Sequence, residues 1–450
     1  MRRREFLEAG VVAGAGLLCR GLPAAAEDKP APTASPNTDT LNVALIGAGE
    51  QGRILINAAT LIPGIRFRAV CDIWRYRRRA ARYYLETYRH EVNEYDDYRE
   101  MLQKQKDLHA VIIATPDFIH AEQANACMNA GLHVYCEKMM SNSLEEARSM
   151  VRTMRQTGRL LQIGYQRRSN PRYLHVFENL INNAKLAGRL THAQTHWGHP
   201  VRDDLGWPKK QTIAEDVLRQ YGYANMHEFR NWRFFKKYGA GPWADFGSQQ
   251  IDICRWFLGA TPRFVLAAGG LDYYRDRQWY DNVMAILEYP TPDGIVRAAS
   301  QVVTTSSGGA AAFFEQFMGT EGTIRISENP KWTRLYHEAY APDWDRWVKQ
   351  NLLVKEQQPD TQKPDQPKPE DPNEIRVRET GQVVAYEVPI VLDKPSHQPH
   401  LENFFDAIRG KVKLTCPADE ALFTEVIVHK LNEAITARKA LELRPEDFAV

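Results

Sequence analysis

Residues 41–53, LNVALIGAGEQGR, decide the fold class of this chain. Val43 to Ile46 is an unbroken apolar run, as a strand covered on both faces requires. Gly47, Gly49 and Gly52 follow with G-x-G-x-x-G spacing and open a helical pattern. Asp72 stands twenty residues after Gly52, at the end of the next apolar run, RFRAVCD. A lone glycine pattern says little, but strand, glycine turn, helix and a later acid together form a dinucleotide fingerprint. Gly47 permits the tight turn, Gly49 lets backbone approach a pyrophosphate, and Gly52 lets helix pack on strand. Glu50 and Gln51 fall in the same first turn, whose free N–H groups favour phosphate charge. Asp72 accepts from an adenosine ribose and repels a 2′-phosphate, which points to NAD rather than NADP. Arg75, Arg77, Arg78 and Arg79 follow; they form a solvated helix face or, alternatively, serve the extra phosphate of NADP.

Further strand patterns, HAVIIAT and LHVYCEK, alternate with helical ones, RRRAARYYLETY, AEQANACMNAG and SLEEARSMVRTMRQTG. That alternation predicts a parallel α/β sheet with helices on both faces, a Rossmann domain over residues 41–165. Ser143 with Glu146 three residues on reads as a capping box. From residue 166 to 450 the pattern changes. RLTHAQTHW, RFVLAAGG, NVMAILEYP, GIVRAASQVVTT and GTIRIS are strand-like runs joined by turn residues. They predict an α+β C-terminal domain with a mostly antiparallel open sheet. Residues 355–374 are polar and Pro-rich and read as a mobile surface loop.

The chain begins MRRREFLEAGVVAGAGLLCRGLPAAA, a basic start and a short apolar run ending in small residues. Residues 1–26 read as an export signal, too short to span a membrane, and 27–40 as a linker. Arg3-Arg4-Glu5-Phe6-Leu7 resembles the twin-arginine signature, which implies a folded protein exported to the periplasm; an ordinary secretory signal is the alternative. Removing its four Arg and two Glu from 58 basic and 56 acidic residues leaves 54 of each. That balance points away from nucleic acid, and no integral membrane segment is expected after signal removal. The five cysteines beyond the signal have neither metal-like nor CxxC spacing and read as packing thiols; no metal site is expected.

Downstream motifs extend the fingerprint: ATPDFIHAEQA with Thr115, Pro116 and His120; CEKMM with Glu137 and Lys138; GYQRRSNPRY; RNWRFFKKYGAGPWADFGSQQID; and HQPHLENFFDAI. In these the chain resembles the glucose–fructose oxidoreductase/inositol dehydrogenase/rhizopine catabolism group, Gfo/Idh/MocA. The resemblance covers about residues 41–330 and 395–445. It implies NAD(P)-dependent oxidation or reduction of sugars and polyols, Thr115, Pro116, His120, Glu137 and Lys138 at the cofactor, and an open sheet that makes a homo-oligomer. It also implies that Lys138 is the acid–base group, although the family's Pro after this Lys is Met139 here. A Lys at the end of a parallel strand lies at the ligand mouth, where burial and a positive nicotinamide would lower its pKa.

The family pattern Asp-x-Gly-x-His-x-x-Asp falls on Asp245, Gly247 and Asp252, with Gln249 in place of the His. On a helix Asp245 and Gln249 share a face, but a Gln amide only holds a hydroxyl and moves no proton. Three outcomes follow: Lys138 works alone, His196, His199, Tyr165 or Asp245 replaces the base, or turnover is weak. His196 and His199, in THAQTHWGHP, are substitute bases, metal partners of Asp245, or ordinary hydrogen-bonded histidines. Arg167 and Arg168 grip substrate or pair with acids. Asn231, Trp232 and Arg233 are pocket candidates, and His397 and His400 read as structural. The expectation is an exported NAD-dependent oxidoreductase acting on a small carbohydrate. The alternatives are a glycosidase of the same fold that uses bound NAD transiently, and a non-catalytic, nucleotide-bound sugar-binding protein.

Overall fold

The computed structural model describes residues 40–309, 312–339, 341–356 and 384–450. The expected export signal, most of the linker and residues 357–374 of the expected loop lie outside them. Strands β1 (Leu41–Ile46), β2 (Ile65–Cys71), β3 (Asn93–Tyr95), β4 (Ala110–Ile113), β5 (His133–Cys136) and β6 (Leu161–Ile163) form one sheet. Its order is β3-β2-β1-β4-β5-β6 and every pairing is parallel. β1 and β4 are almost wholly buried, as their apolar runs require. Helices α1 (Glu50–Ala59), α2 (Arg75–Thr87), α3 (Tyr98–Lys104), α4 (Asp117–Asn129) and α5 (Leu144–Thr157) connect the strands. The order reverses at β1, so a crevice opens at the carboxyl ends of β1 and β4, where ligands bind in such sheets. α5 starts after Ser143 as expected, but the Ser143 side chain makes no capping bond, so the capping box is not formed.

The second sheet has ten strands. They are β7 (Leu190–Gly198), β8 (Phe264–Gly270), β9 (Asn282–Thr291), β10 (Gly294–Val303), β11 (Phe313–Gly319), β12 (Gly322–Ile326), β13 (Arg334–His337), β14 (Val354–Lys355), β15 (Val384–Glu387) and β16 (Leu441–Glu442). The order is β14-β15-β13-β12-β11-β7-β10-β9-β8-β16, antiparallel except for β7 beside β10. One face is the domain core. There the helix Ala418–Ala437 buries Ile427, Val428, Leu431 and Ala434 with Val265 and Leu287. The same helix buries Ala418, Leu422 and Val426 in the core of the first sheet, so one element serves both. The helix Gln398–Ile408, placed by sequence in the second domain, packs Leu401, Phe404 and Phe405 against β1 and α1 of the first. All five cysteines of the described residues are free and buried.

Candidate active site

A cleft of about 850 Å³ lies above the carboxyl ends of β1 and β4 and reaches from Asp72 and Trp74 to Lys138, Asp245 and Gln249. The glycines play the parts their spacing assigns. Gly47 has φ +91°, and a Cβ there would lie 2.6 Å from the Ala114 backbone; a Cβ on Gly52 would lie 2.0 Å from the Gly47 carbonyl oxygen. A Cβ on Gly49 would meet nothing within 4 Å. Gly49 is the N-cap of α1 and, having no side chain, leaves the first-turn N–H groups to the cleft. Asp72 accepts the Ala48 and Trp74 N–H groups at 2.7 Å each and still faces the cleft. Burial pushes its carboxyl up, against those two bonds and Arg78. The residues present therefore fit a dinucleotide. Among the four arginines, Arg75 and Arg79 are exposed as a solvated face would be. Arg78 pairs with Glu94 at 3.2 Å, and Arg77 faces the cleft over the Trp74 ring.

Part of the cofactor set lines the cleft: Glu50, Gln51, Thr115, Pro116, Glu137 and Lys138. Gln51 donates to Glu137 at 3.0 Å and sits 3.0 Å from His397 Nε2. His397 thus lines the cleft, contrary to its structural reading, whereas His400 is buried against Ser169 and the Ile163 carbonyl. His120 is a second correction. It is buried behind the cleft, between the Thr115 and Met139 carbonyl oxygens at 2.6 and 2.7 Å. Burial lowers its pKa to about 4, against the two carbonyl oxygens, which favour the protonated ring; the neutral ring donates its one N–H to one of them.

Lys138 lies two residues past the end of β5, and its Nζ donates to the backbone carbonyls of Ala244 and Asp245. Asp245 stands in a wide helical turn, Trp243–Gly247, that feeds the helix Ser248–Leu258. Its carboxylate accepts from Arg233 Nε at 2.9 Å. Burial pushes that carboxyl up, but Arg233 and Lys138 outweigh it and the net shift is downward. Asp117, at the start of α4 in the same cleft, escaped the sequence reading. Burial raises its carboxyl to about 7, against Arg233 and Lys138. Gln249 donates from Nε2 to Gln166 Oε1 and, at 3.4 Å, to the Gly164 carbonyl, while its Oε1 has no partner. So the stretch ADFGSQQID supplies a cleft wall through Asp245 and Gln249, whereas Asp252 lies behind it.

His199 faces the cleft edge-on to Phe246, with Nδ1 2.6 Å from the Pro200 carbonyl oxygen. Donation to that carbonyl leaves Nε2 as the basic nitrogen, and burial lowers the ring's pKa. His196 does not line the cleft. Two residues before Gly198 on β7, it sits across the sheet beside Gln301 at 2.8 Å and Phe314, so it joins neither His199 nor Asp245 in a metal site. Among the described residues no metal-sized group of His, Cys, Asp and Glu converges. Tyr165 is fully buried outside the cleft, near Met139 Sδ and Glu425, and burial holds its phenol well above the usual range. Arg168 is spent on a two-pronged pair with Asp252, both contacts 2.8 Å. Asn231 binds the Leu205 backbone rather than the cleft. Trp232 and Arg233 do line it. So do Arg167, Gln166 and Glu328; the last two carried no sequence pattern that marked them.

Comparison with known proteins gives the family and the fold. Residues 41–165 match the model of an oxidoreductase family with the NAD-binding Rossmann fold, and residues 180–325 match the GFO/IDH/MocA C-terminal domain. The chain is 31% identical over 183 residues to an inositol 2-dehydrogenase of Salmonella typhimurium, covering 40% of this chain and 52% of that one. It is 27% identical over 261 residues to a glycosyl hydrolase family 109 protein of Shewanella baltica, covering 54% of each. The chain thus spans about half the length of these curated relatives. In fold it is similar to an aldose-aldose oxidoreductase from Caulobacter crescentus solved with glycerol, with TM-score 0.65 at 16% identity, over 90% of this chain and 100% of that one.

Proposed function

Because the chain belongs to the Gfo/Idh/MocA oxidoreductase family with its NAD-binding Rossmann fold, we propose that it transfers hydride between a carbohydrate CH–OH group and NAD. The observation that carries this reading is convergence. The uncapped start of α1, Asp72, Lys138 and Asp245 share one cleft, although they come from four separated segments. NAD, when bound, supplies the hydride acceptor. The protein's part is to hold the substrate and move a proton. Lys138 Nζ, fixed by two carbonyls, exchanges the proton of the reacting hydroxyl. Gln249 presents a free amide oxygen to a hydroxyl, and Arg233 holds Asp245 in its charged form beside Lys138. His199 is the second group able to take a proton there and substitutes for the absent family histidine.

The test is mass analysis of products from a panel of sugars, polyols and glycosides, given to the NAD-loaded protein and to Lys138→Ala. A ketone or lactone product, with turnover reduced about 10²- to 10⁴-fold in the variant, is expected. Free sugar without net oxidation would favour redox-assisted glycoside cleavage, a reading supported by the similarity to the family 109 protein. Ligand binding without product in either form would favour a binding protein. We also propose that the mature protein is exported by the twin-arginine route and assembles through its open sheet. Cytoplasmic retention of an R3K/R4K variant checks the first point. Arg3-Arg4-Glu5-Phe6-Leu7 supports it.

A further inference from the structure

We propose that Glu328, acting with Arg167, makes this cleft selective for neutral polyhydroxylated substrates and excludes those carrying a carboxylate. The inference rests on the oxidoreductase reading above and narrows its substrate class.

Beside Lys138 and Asp245 the cleft has a continuous polar wall. Gln249 Nε2 faces Gln166 Oε1, Gln166 Nε2 donates to Glu328 Oε1 at 3.2 Å, and Arg167 Nε donates to Glu328 Oε2 at 3.1 Å. Arg167 has no exposed surface, and its charge is already met from behind. Its Nη1 pairs with Glu315, equally buried, which also accepts from Tyr173 at 2.8 Å. Arg172, five residues on, is spent on the backbone carbonyls of Ser327, Glu328 and Ile390. Glu328 keeps 19% of its side chain open. What a substrate meets here is therefore a carboxylate, not a free guanidinium.

Two buried polar atoms in this wall have no partner: Arg167 Nη2, a donor, and Gln249 Oε1, an acceptor. The Gln249 orientation follows from its two acceptor neighbours, which the NH₂ group must face. A hydroxyl can donate to the Glu328 carboxylate or to Gln249 Oε1 while accepting from another donor. A carboxylate has no proton for Gln249 or Glu328, and it brings a like charge against Glu328. A site built to hydrogen-bond a hydroxyl discriminates strongly, because the wrong group leaves its buried atoms unpaired. Trp197 adjoins the wall, stacked on Phe313 with ring centroids 4.8 Å apart and with the Arg167 guanidinium over its ring.

The test compares a neutral aldohexose with the uronic acid of the same ring stereochemistry, in NAD-loaded wild type and Glu328→Gln. Reduced-nucleotide absorbance reads turnover, and calorimetry reads binding. Wild type is expected to favour the neutral sugar at least tenfold in both readouts. Glu328→Gln is expected to narrow that ratio at least fivefold, mainly through gain with the acid. Equal handling of the two sugars by wild type, or an unchanged ratio in the variant, overturns the proposal. Absence of turnover with any sugar in the wild type, while the neutral-over-acid binding ratio persists, counts against the oxidoreductase reading and leaves the charge filter standing. Should Glu328→Gln melt early, Glu328→Asp, which keeps the charge but withdraws it, is expected to retain the wild-type preference; loss of the preference there overturns the proposal too.

Discussion

Three glycines five residues apart or less are asked to do different things, and alanine separates them. A methyl group at Gly52 meets the Gly47 carbonyl oxygen at 2.0 Å, which nothing flexible can relieve. Gly52→Ala is therefore expected to lower stability by about 1–3 kcal/mol or more, as overpacking does, and to melt early with or without nucleotide. A methyl group at Gly49 meets nothing within 4 Å. Gly49→Ala is expected to cost only about 0.5–1 kcal/mol through the weaker N-cap, yet to weaken NAD binding at least tenfold by filling the space before α1. Thermal melting beside a nucleotide titration checks the pair. Equal NAD affinity in Gly49→Ala and wild type would remove the pyrophosphate from that helix start. The same contrast shows why this half of the site was legible in sequence. Each glycine answers a steric demand of the backbone, so its spacing carries the meaning.

At the scale of elements, the helix Ala418–Ala437 clasps the turn that carries Lys138. Glu425 Oε1 accepts the Met140 N–H at 2.8 Å, from 285 residues away in sequence, and Tyr165 O–H approaches it at 3.5 Å. Burial pushes the Glu425 carboxyl up to about 8, against the Met140 bond, with Asp117 adding to the rise. An acid whose folded pKa is raised keeps a proton that the unfolded chain sheds. Stability is therefore greatest below the unfolded value near 4.5 and falls as pH climbs toward 8. The slope in that window is up to about 1.4 kcal/mol per pH unit. Glu425→Gln keeps an acceptor for Met140 and removes the titration. Its melting temperature is expected to drop less than that of wild type between pH 5.5 and 8, with the remaining drop due in part to Asp117, which shifts in the same sense. Identical pH profiles would mean that Glu425 is not protonated in the folded protein. This clasp was not legible beforehand, and the reason is general. α/β alternation and strands such as NVMAILEYP show in their apolar periodicity, and β8, β9, β10 and β12 fall where it predicts. β11, FFEQFMG, hid because Glu315 and Gln316 interrupt its pattern, and Glu315 is buried only because Arg167 meets it from another segment. Gln166, Glu328, Asp117 and His397 stand singly in turns or at element ends, where no repeat marks them. Arg168, Tyr165, His120 and His196 were drawn toward the cleft by their neighbours in sequence, but their partners in space turn them away from it.

At the scale of the whole molecule, the outer face of the ten-stranded sheet is left uncovered by the described residues along β8 and β9. Met284, Ile286 and Leu266 point outward on β9 and β8, exposed by 58%, 47% and 42%, while Val283, Ala285 and Leu287 alternate inward to the core. Leu266 stands opposite Ile286 in the register, so the exposed side chains form a patch and not scattered positions. Around it Glu288 pairs with Arg263 and Arg297 at 3.2 and 3.0 Å, giving an apolar centre with a charged rim. Addition at the sheet edges is disfavoured, because β14 and β16 are two-residue strands that offer few open backbone groups. Face-to-face pairing of like sheets is the assembly this surface suits, and a two-fold axis makes it self-complementary. A double variant, Met284→Asp with Ile286→Asp, places like charges at the centre of such a contact. It is expected to shift the protein to a smaller species in light scattering at micromolar concentration, with NAD affinity retained because the patch lies across the sheet from the cleft-side core. A wild type that is already monomeric there would sink the proposal. A variant that shrinks and also loses NAD would show that assembly helps to hold the cleft together.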